Sequence, residues 1–242
     1  LSLLDTKFVI KHDAKNRRLL QTLDQTIGQE DIYHKKVYID NVYVNFTRRW
    51  FYSCNNLNSI QINGIDGVVD TCQMFYGCDA LTYLDVSGIN TSNVTNMEQM
   101  FANSSDLISI NLNGFNTSNV TNMRYMFSGC NGLQSIDLSN FDTSNVTNME
   151  SMFGYCNSLQ SINLSSFDTS KITNMKSMFF RCESLTSIDL SSFDMSKVTE
   201  INSIFSSCAN LQTIYVKDEA AKTKIESSEG FPSTTTVIIG KP

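Results

Sequence analysis

Between residues 50 and 216 apolar and polar positions recur in one fixed order, and the rhythm changes once within every unit. Around Ile136 and Leu138 apolar side chains alternate with Ser135, Asp137 and Ser139. That is the period of a strand, with Ile136 and Leu138 facing inward and the three polar residues outward. Further on, Val146, Met149, Met152 and Phe153 fall at i, i+3, i+6 and i+7, which is one face of a helix. Asp142, Thr143 and Ser144 stand just before this stretch, where their oxygens can cap free N–H groups. The pattern predicts a unit of short strand, turn, and short helix or 3₁₀ turn.

The unit repeats every 26 residues. Met-Phe occurs at Met74-Phe75, Met100-Phe101, Met126-Phe127, Met152-Phe153 and Met178-Phe179, and returns as Ile204-Phe205. A leucine keeps step at Leu57, Leu81, Leu107, Leu133, Leu159, Leu185 and Leu211. The first unit is two residues shorter, because Asp66-Gly67 stands where the next has Asn90-Thr91-Ser92-Asn93; a glycine there can turn with positive φ. One such unit cannot bury its apolar face alone, but a stack of them can. The expected fold is an α/β repeat: a solenoid with a parallel β-sheet on a concave face, short helices or 3₁₀ turns on the other, and a cap at each end. Seven strands about 4.8 Å apart would give a sheet roughly 30 Å long.

The ends depart from the repeat. Residues 1–49 are expected to form an N-terminal cap or a small flanking domain. Lys15 to Ile27 reads as an amphipathic helix with Leu19, Leu20, Leu23 and Ile27 on one face, and Lys36 to Phe46 as a strand pair turning at Asp40-Asn41. The solenoid proper is expected over 50–216. Residues 217–242 read as a C-terminal cap, helical over Asp218–Ile225 and then a strand over Thr234–Ile239.

The block Phe141-Asp142-Thr143-Ser144-Asn145-Val146-Thr147-Asn148-Met149, followed by Met152-Phe153 and Cys156, resembles the repeat of the BspA-like leucine-rich-repeat surface proteins of bacteria. The related mycoplasma-type lipoprotein repeat shares it. The resemblance covers about Trp50 to Tyr215, and Ile214-Tyr215-Val216 through Val237-Ile238-Ile239-Gly240 is similar to the closing segment of such domains. It implies a leucine-rich-repeat solenoid in a secreted or surface-anchored bacterial protein that attaches to host or microbial proteins or glycans. It names no single ligand.

Composition narrows the function. The chain of 242 residues carries a formal charge of −6. A nucleic-acid partner is therefore not expected, since phosphate binding depends on clustered Lys and Arg. No apolar run reaches the length of a membrane span. The chain starts at Leu1 with no charged-then-apolar leader, so it reads as an excised part of a longer surface protein whose signal and anchor lie elsewhere, and it is expected to be monomeric. Its two histidines, His12 and His34, both precede the repeats. With no G-x-S-x-G, H-E-x-x-H or phosphate-binding glycine loop, neither an enzyme nor a cofactor is expected.

Six of seven cysteines form a ladder, Cys54, Cys78, Cys130, Cys156, Cys182 and Cys208, with Ser104 in the missing place. Stacked equivalents point the same way and suit a disulfide poorly, so buried free thiols are expected. Cys72 takes the place of Glu98 and Glu150, an outward position where an exposed thiol and a partly covered one are both open readings. Two polar ladders remain. One is the outward strand position Gln61, Asp85, Asn111, Asp137, Asn163, Asp189 and Tyr215, which with Tyr83 is the candidate ligand-binding face; a merely solvated face is the alternative. The other, Asn90, Asn116, Asp142, Asp168 and Asp194, suits turn formation, with calcium ligation as the sharper alternative. Tyr76, Tyr125 and Tyr155 are expected to decorate the opposite, helical side. The expected function is non-catalytic binding or adhesion at a cell surface, with a passive spacer as the alternative.

Overall fold

The inward positions of successive repeats share one interior. In the unit 133–158, Leu133, Leu138, Phe141, Val146, Met149, Met152, Phe153 and Cys156 are all buried, and their counterparts in neighbouring units complete a single continuous core. The computed structural model describes residues 51, 53, 59–62 and 64–241, together with the strand backbones at 8–10, 36–39 and 42–43. The expected helix over 15–27 and both histidines lie outside the described residues.

Ten strands and one helix are described. The strands are β1 (Phe8–Ile10), β2 (Lys36–Ile39), β3 (Val42–Tyr43), β4 (Ser59–Ile62), β5 (Ile65–Asp66), β6 (Tyr83–Asp85), β7 (Ser109–Asn111), β8 (Ser187–Leu190), β9 (Thr213–Val216) and β10 (Thr236–Ile239). Helix α1 (Glu219–Glu226) lies between β9 and β10. Every pairing is parallel, as stacked coils require: Leu84 lies opposite Ile110, and Ile188 opposite Ile214. The architecture is a parallel β-solenoid of repeats.

Three features differ from the sequence expectation. First, β2 and β3 do not pair with each other around Asp40-Asn41. Each runs parallel to a later strand, β2 with β4 and β3 with β5, so the segment lies along coils instead of folding back on itself. Second, the strand wall is not one seven-stranded sheet. It consists of a five-stranded sheet β1-β2-β4-β6-β7 and a three-stranded sheet β10-β9-β8. Leu133–Leu138 and its counterpart Leu159–Leu164 are extended but belong to no strand. Ile136 and Ile162 are only half-buried there, as is Ile110 on β7, whereas Leu84, Ile188 and Ile214 are buried. These central coils are tied at their ends instead: Gln160 N–H donates to the Gln134 carbonyl (3.1 Å), and Asn140 Nδ2 donates to the carbonyls of Leu112 and Phe115 (both 3.1 Å).

Third, the repeats contain no helix or 3₁₀ turn among the described residues. Met149–Cys156 is a chain of overlapping β-turns: Met152 N–H donates to Met149 O, Gly154 to Ser151 and Cys156 to Phe153. Ser151 and Tyr155 have φ of 51° and 61°. Left-handed residues break a right-handed helix. The intervening N–H groups turn outward to the next coil, with Ser151 donating to Lys176 O (2.8 Å), Phe153 to Met178 O (2.9 Å) and Tyr155 to Phe180 O (2.6 Å). Alternate amides thus close turns and rungs, and no donor from Met152 to Cys156 is left unpaired. A turn also returns a side chain to the same side every three residues. The inward set is therefore the one that helical spacing selects, on a different backbone. Its phenylalanines stack in parallel from Phe51 to Phe205, with ring centroids 4.8–5.7 Å apart.

At the C-terminal end, Asp218 caps α1 by accepting from Ala221 N–H (2.9 Å), and Ala221 and Ile225 are buried. Lys224, in the last turn of α1, donates to the carbonyls of Met195 (2.8 Å) and Val198 (2.7 Å). Met195 stands where earlier units have threonine, and the lysine lies over that altered corner.

Candidate functional site

Strand pairing sets Gln61, Asp85 and Asn111 in register, and Asp189 with Tyr215, and the ladder is unevenly exposed. Gln61, Asp137 and Asn163 are exposed, while Asp85, Asn111, Asp189 and Tyr215 are half-buried. Tyr83 is 42% exposed. Lost hydration, and then the neighbouring Asp85 carboxylate, hold its hydroxyl above its ordinary pKa. The ladder's oxygens are already engaged. Asp85, Asn111, Asp137, Asn163 and Asp189 each accept a hydrogen bond from the backbone N–H two residues on, at 2.8–3.1 Å. Among the described residues one link runs along the ladder itself, from Asn111 Nδ2 to Asp85 Oδ1 (3.1 Å). These Asp and Asn residues close turns first and can offer only their remaining lone pairs to a ligand.

The second ladder does the same work. Asn90, Asn116, Asp142, Asp168 and Asp194 accept from the N–H of Ser92, Ser118, Ser144, Ser170 and Ser196 at 2.9–3.1 Å. Bonds from Ser144 to Asp142, Ser170 to Asp168 and Ser196 to Asp194 hold those carboxyls below their ordinary pKa. The expected capping of a helix by Asp142, Thr143 and Ser144 is thus replaced by turn closure, because no helix follows.

A third ladder carries the same bond and escaped the sequence reading. Asp70, Asn96, Asn122, Asn148 and Asn174 each accept from the N–H two residues on, at 2.8–3.1 Å. Isolated parallel bridges join Asp70, Asn96, Asn122, Asn148, Asn174 and Glu200 in succession. The regular N-M spacing of the repeat was the available signal. Threonine makes the tightest corner. Thr143, fully buried, donates to the Asp168 carbonyl (2.8 Å); one coil earlier, Thr117 both donates to the Asp142 carbonyl and accepts from Asp142 N–H (each 2.8 Å).

The ladder cysteines within the described residues are free and buried. Their thiols donate to phenylalanine carbonyls of an adjacent coil at 2.9–3.2 Å. Ser104 makes the same bond to Phe75 O (2.8 Å), which explains why serine substitutes there. Burial pushes the Cys130 thiol up to about 12. Cys72 is not outward: it is 3% exposed, whereas Glu98 and Glu150 at the equivalent positions are half-covered. Tyr76, Tyr125 and Tyr155 do lie on this wall, which is built of turns. There Arg124 bridges Glu150 (2.9 Å) and Glu98 (3.7 Å), and Tyr125 donates to Glu150 (2.9 Å). Burial works against the Glu150 charge, but these partners outweigh it and hold the carboxyl below its ordinary pKa. Among the described residues no helix is long and apolar enough to cross a membrane.

Stacked coils, laddered side chains and a shared core define the chain as a repeat-solenoid protein. The sequence pattern of the family described as "Mycoplasma protein of unknown function, DUF285" matches residues 45–137 and again 132–234, and the chain belongs to that family. Among solved structures it is similar to a leucine-rich cell surface protein from Faecalibacterium prausnitzii, at 16% identity over 98% of this chain and 88% of that one, with a TM-score of 0.28. It is also similar to a leucine-rich repeat protein from Eubacterium ventriosum, at 15% identity over 97% and 88%, with a TM-score of 0.30. No curated protein matches it.

Proposed function

We propose that this chain is a non-catalytic binding module of an extracellular, cell-surface protein, engaging a host or microbial protein or glycan through its repeat surface. In this reading 50–216 form the binding solenoid, with 1–49 and 217–242 as end segments. One observation carries it. Inward side chains and backbone groups are consumed by coil-to-coil contacts, which leaves rows of outward side chains held in register on a rigid frame. Tyr83 breaks the serine pattern of its row and adds exposed aromatic area beside Asp85. The binding face in this reading is Tyr83, Asp85, Asn111, Asp137, Asn163, Asp189 and Tyr215.

A second reading, a passive spacer, is favoured by the turn wall, whose rungs recur almost unchanged through successive coils. The test is a screen of the folded chain against extracellular-matrix proteins and a glycan array, beside Tyr83→Ala and Asp137→Ala/Asn163→Ala variants. Saturable binding weakened by those variants supports the module and its face. A folded chain that binds nothing supports the spacer.

A further inference from the structure

The turn wall carries an open cleft of about 340 Å³, lined by Asp79, Asn103, Ser105, Gly129, Asn131, Tyr155 and Asn157. Its volume falls within the ~300–1,000 Å³ of small-molecule sites. The cleft lies where a glycine takes a place in its row that a side chain more often fills. The positive-φ position at the second turn is Ser53, Gly77, Asn103, Gly129, Tyr155, Arg181 and Ser207 in successive coils, with φ of 54°, 67°, 59°, 76°, 61°, 58° and 63°. Five of these seven residues are not glycine, so the backbone does not require one at 129. What Gly129 supplies is space. A Cβ there would run into the side-chain oxygen of Asn103. The missing side chain leaves a notch between Asn103 on one coil and Tyr155 on the next but one.

The walls of the notch are chemically uniform. Asn103 is oriented by its amide, which donates to the Tyr76 hydroxyl (2.7 Å), so its carbonyl oxygen faces the notch. Asn131 and Asn157 add further amides, groups that both donate and accept. The Asn157 side-chain oxygen is buried and takes no hydrogen bond from the chain, an unfavourable state for an acceptor. Tyr155 forms the far side. The edge of Phe180 (5.1 Å between centroids) and the Arg181 guanidinium (5.8 Å from the ring centre) fix it in place, yet it stays 46% exposed.

We infer that this cleft binds one or two units of a neutral saccharide, with Tyr155 against the apolar C–H face of the sugar and the asparagine amides on its hydroxyls. Hydroxyls need partners that donate and accept, which amides supply. The single carboxylate, Asp79, and the chain's net charge of −6 disfavour an anionic ligand. This inference rests on the surface-binding reading but moves the glycan contact from the strand wall to the turn wall.

The experiment is a glycan array with the full chain, carrying mannose-, galactose- and N-acetylglucosamine-terminated oligosaccharides and their sialylated counterparts. Tyr155→Ala and Gly129→Asn are measured alongside, with Tyr155→Phe as the conservative variant and thermal unfolding as the fold check. Asparagine suits the left-handed backbone, and its Cβ, which meets the Asn103 side-chain oxygen, takes up the notch. The expected result is binding of neutral glycans that falls about tenfold in Tyr155→Ala and Gly129→Asn and survives in Tyr155→Phe. Preference for sialylated glycans, or neutral-glycan binding that Gly129→Asn leaves intact, overturns the inference. Should the chain bind matrix proteins but no saccharide, the inference fails while the surface-binding reading stands. Should it bind nothing, both fail.

Discussion

The strand wall and the turn wall belong to the same coils but are held together differently. On the strand wall, ladder pairing lapses between β7 and β8, and Ile136 and Ile162 are left half-covered. On the turn wall the rungs continue through those same coils: Tyr125 N–H donates to Glu150 O, Ser151 to Lys176 and Ser177 to Asn202. Its phenylalanine stack is likewise unbroken from Phe51 to Phe205. The cohesion of this solenoid therefore resides chiefly in its turns, and the sheet contributes less.

The comparison fails if the two walls respond alike to damage. The largest contrast is expected from Phe153→Ala, which removes a fully buried ring from the stack and should cost about 3–5 kcal/mol in urea unfolding. Ile136→Ala on the strand wall should cost under about 2 kcal/mol, because that side chain is already half-exposed. Equal losses would refute the contrast. Next comes the corner. Thr143→Val keeps the shape but loses the hydroxyl that bonds the Asp168 carbonyl, an expected loss of about 1–3 kcal/mol by the same assay. Asp137→Ala, exposed on the strand wall, should lower the unfolding midpoint less than Thr143→Val does.

Two pH effects sharpen the picture further. Burial raises the folded-state pKa of Cys130 and Cys208 to about 12. A raised folded pKa gives stability that is complete below the unfolded value of about 8.5 and is lost as pH climbs toward 12. Unfolding midpoints should drop over that window, and the drop should shrink in Cys130→Ser, whose hydroxyl can make the bond that Ser104 makes. The smallest effect belongs to Asp142, Asp168 and Asp194, whose folded pKa values are lowered by their serine partners. Their contribution is present above the unfolded value of about 3.9 and fades as pH falls below it. Asp142→Asn should flatten the acid limb of the stability curve slightly.

The inward set was legible in the sequence because burial depends on which side a residue faces, and spacing reports that directly. Val146, Met149, Met152 and Phe153 were assigned correctly to the interior on the wrong backbone. Spacing alone cannot separate a helix from turns that also close at i+3. The distinguishing signal is the left-handed pair Ser151 and Tyr155, and neither residue type advertises positive φ. Gly67 does, and its φ of 79° matches the tight turn read from the shortened unit. The strand lapse at Ser135–Asp137 left no trace, since those residues keep the alternation of a strand. For the site, the strand-wall row was visible as a pattern, but its engagement in turn closure was not. The cleft at Gly129 depends on a side chain's absence, which a consensus reading treats as drift.

The threonine corner has a consequence for how such a chain changes over generations. Asp142 already meets Thr117 of the coil before it, and Thr169 already meets Asp194 of the coil after it. Removing residues 143–168 would join Asp142 to Thr169 and leave every ladder in step. Gain or loss of whole coils can therefore lengthen or shorten this protein in quanta of 26 residues, each worth about 4.8 Å of reach. A change of another length stays in step only where a turn absorbs it, as the first unit does with Asp66-Gly67 in place of four residues; elsewhere it would misalign the ladders.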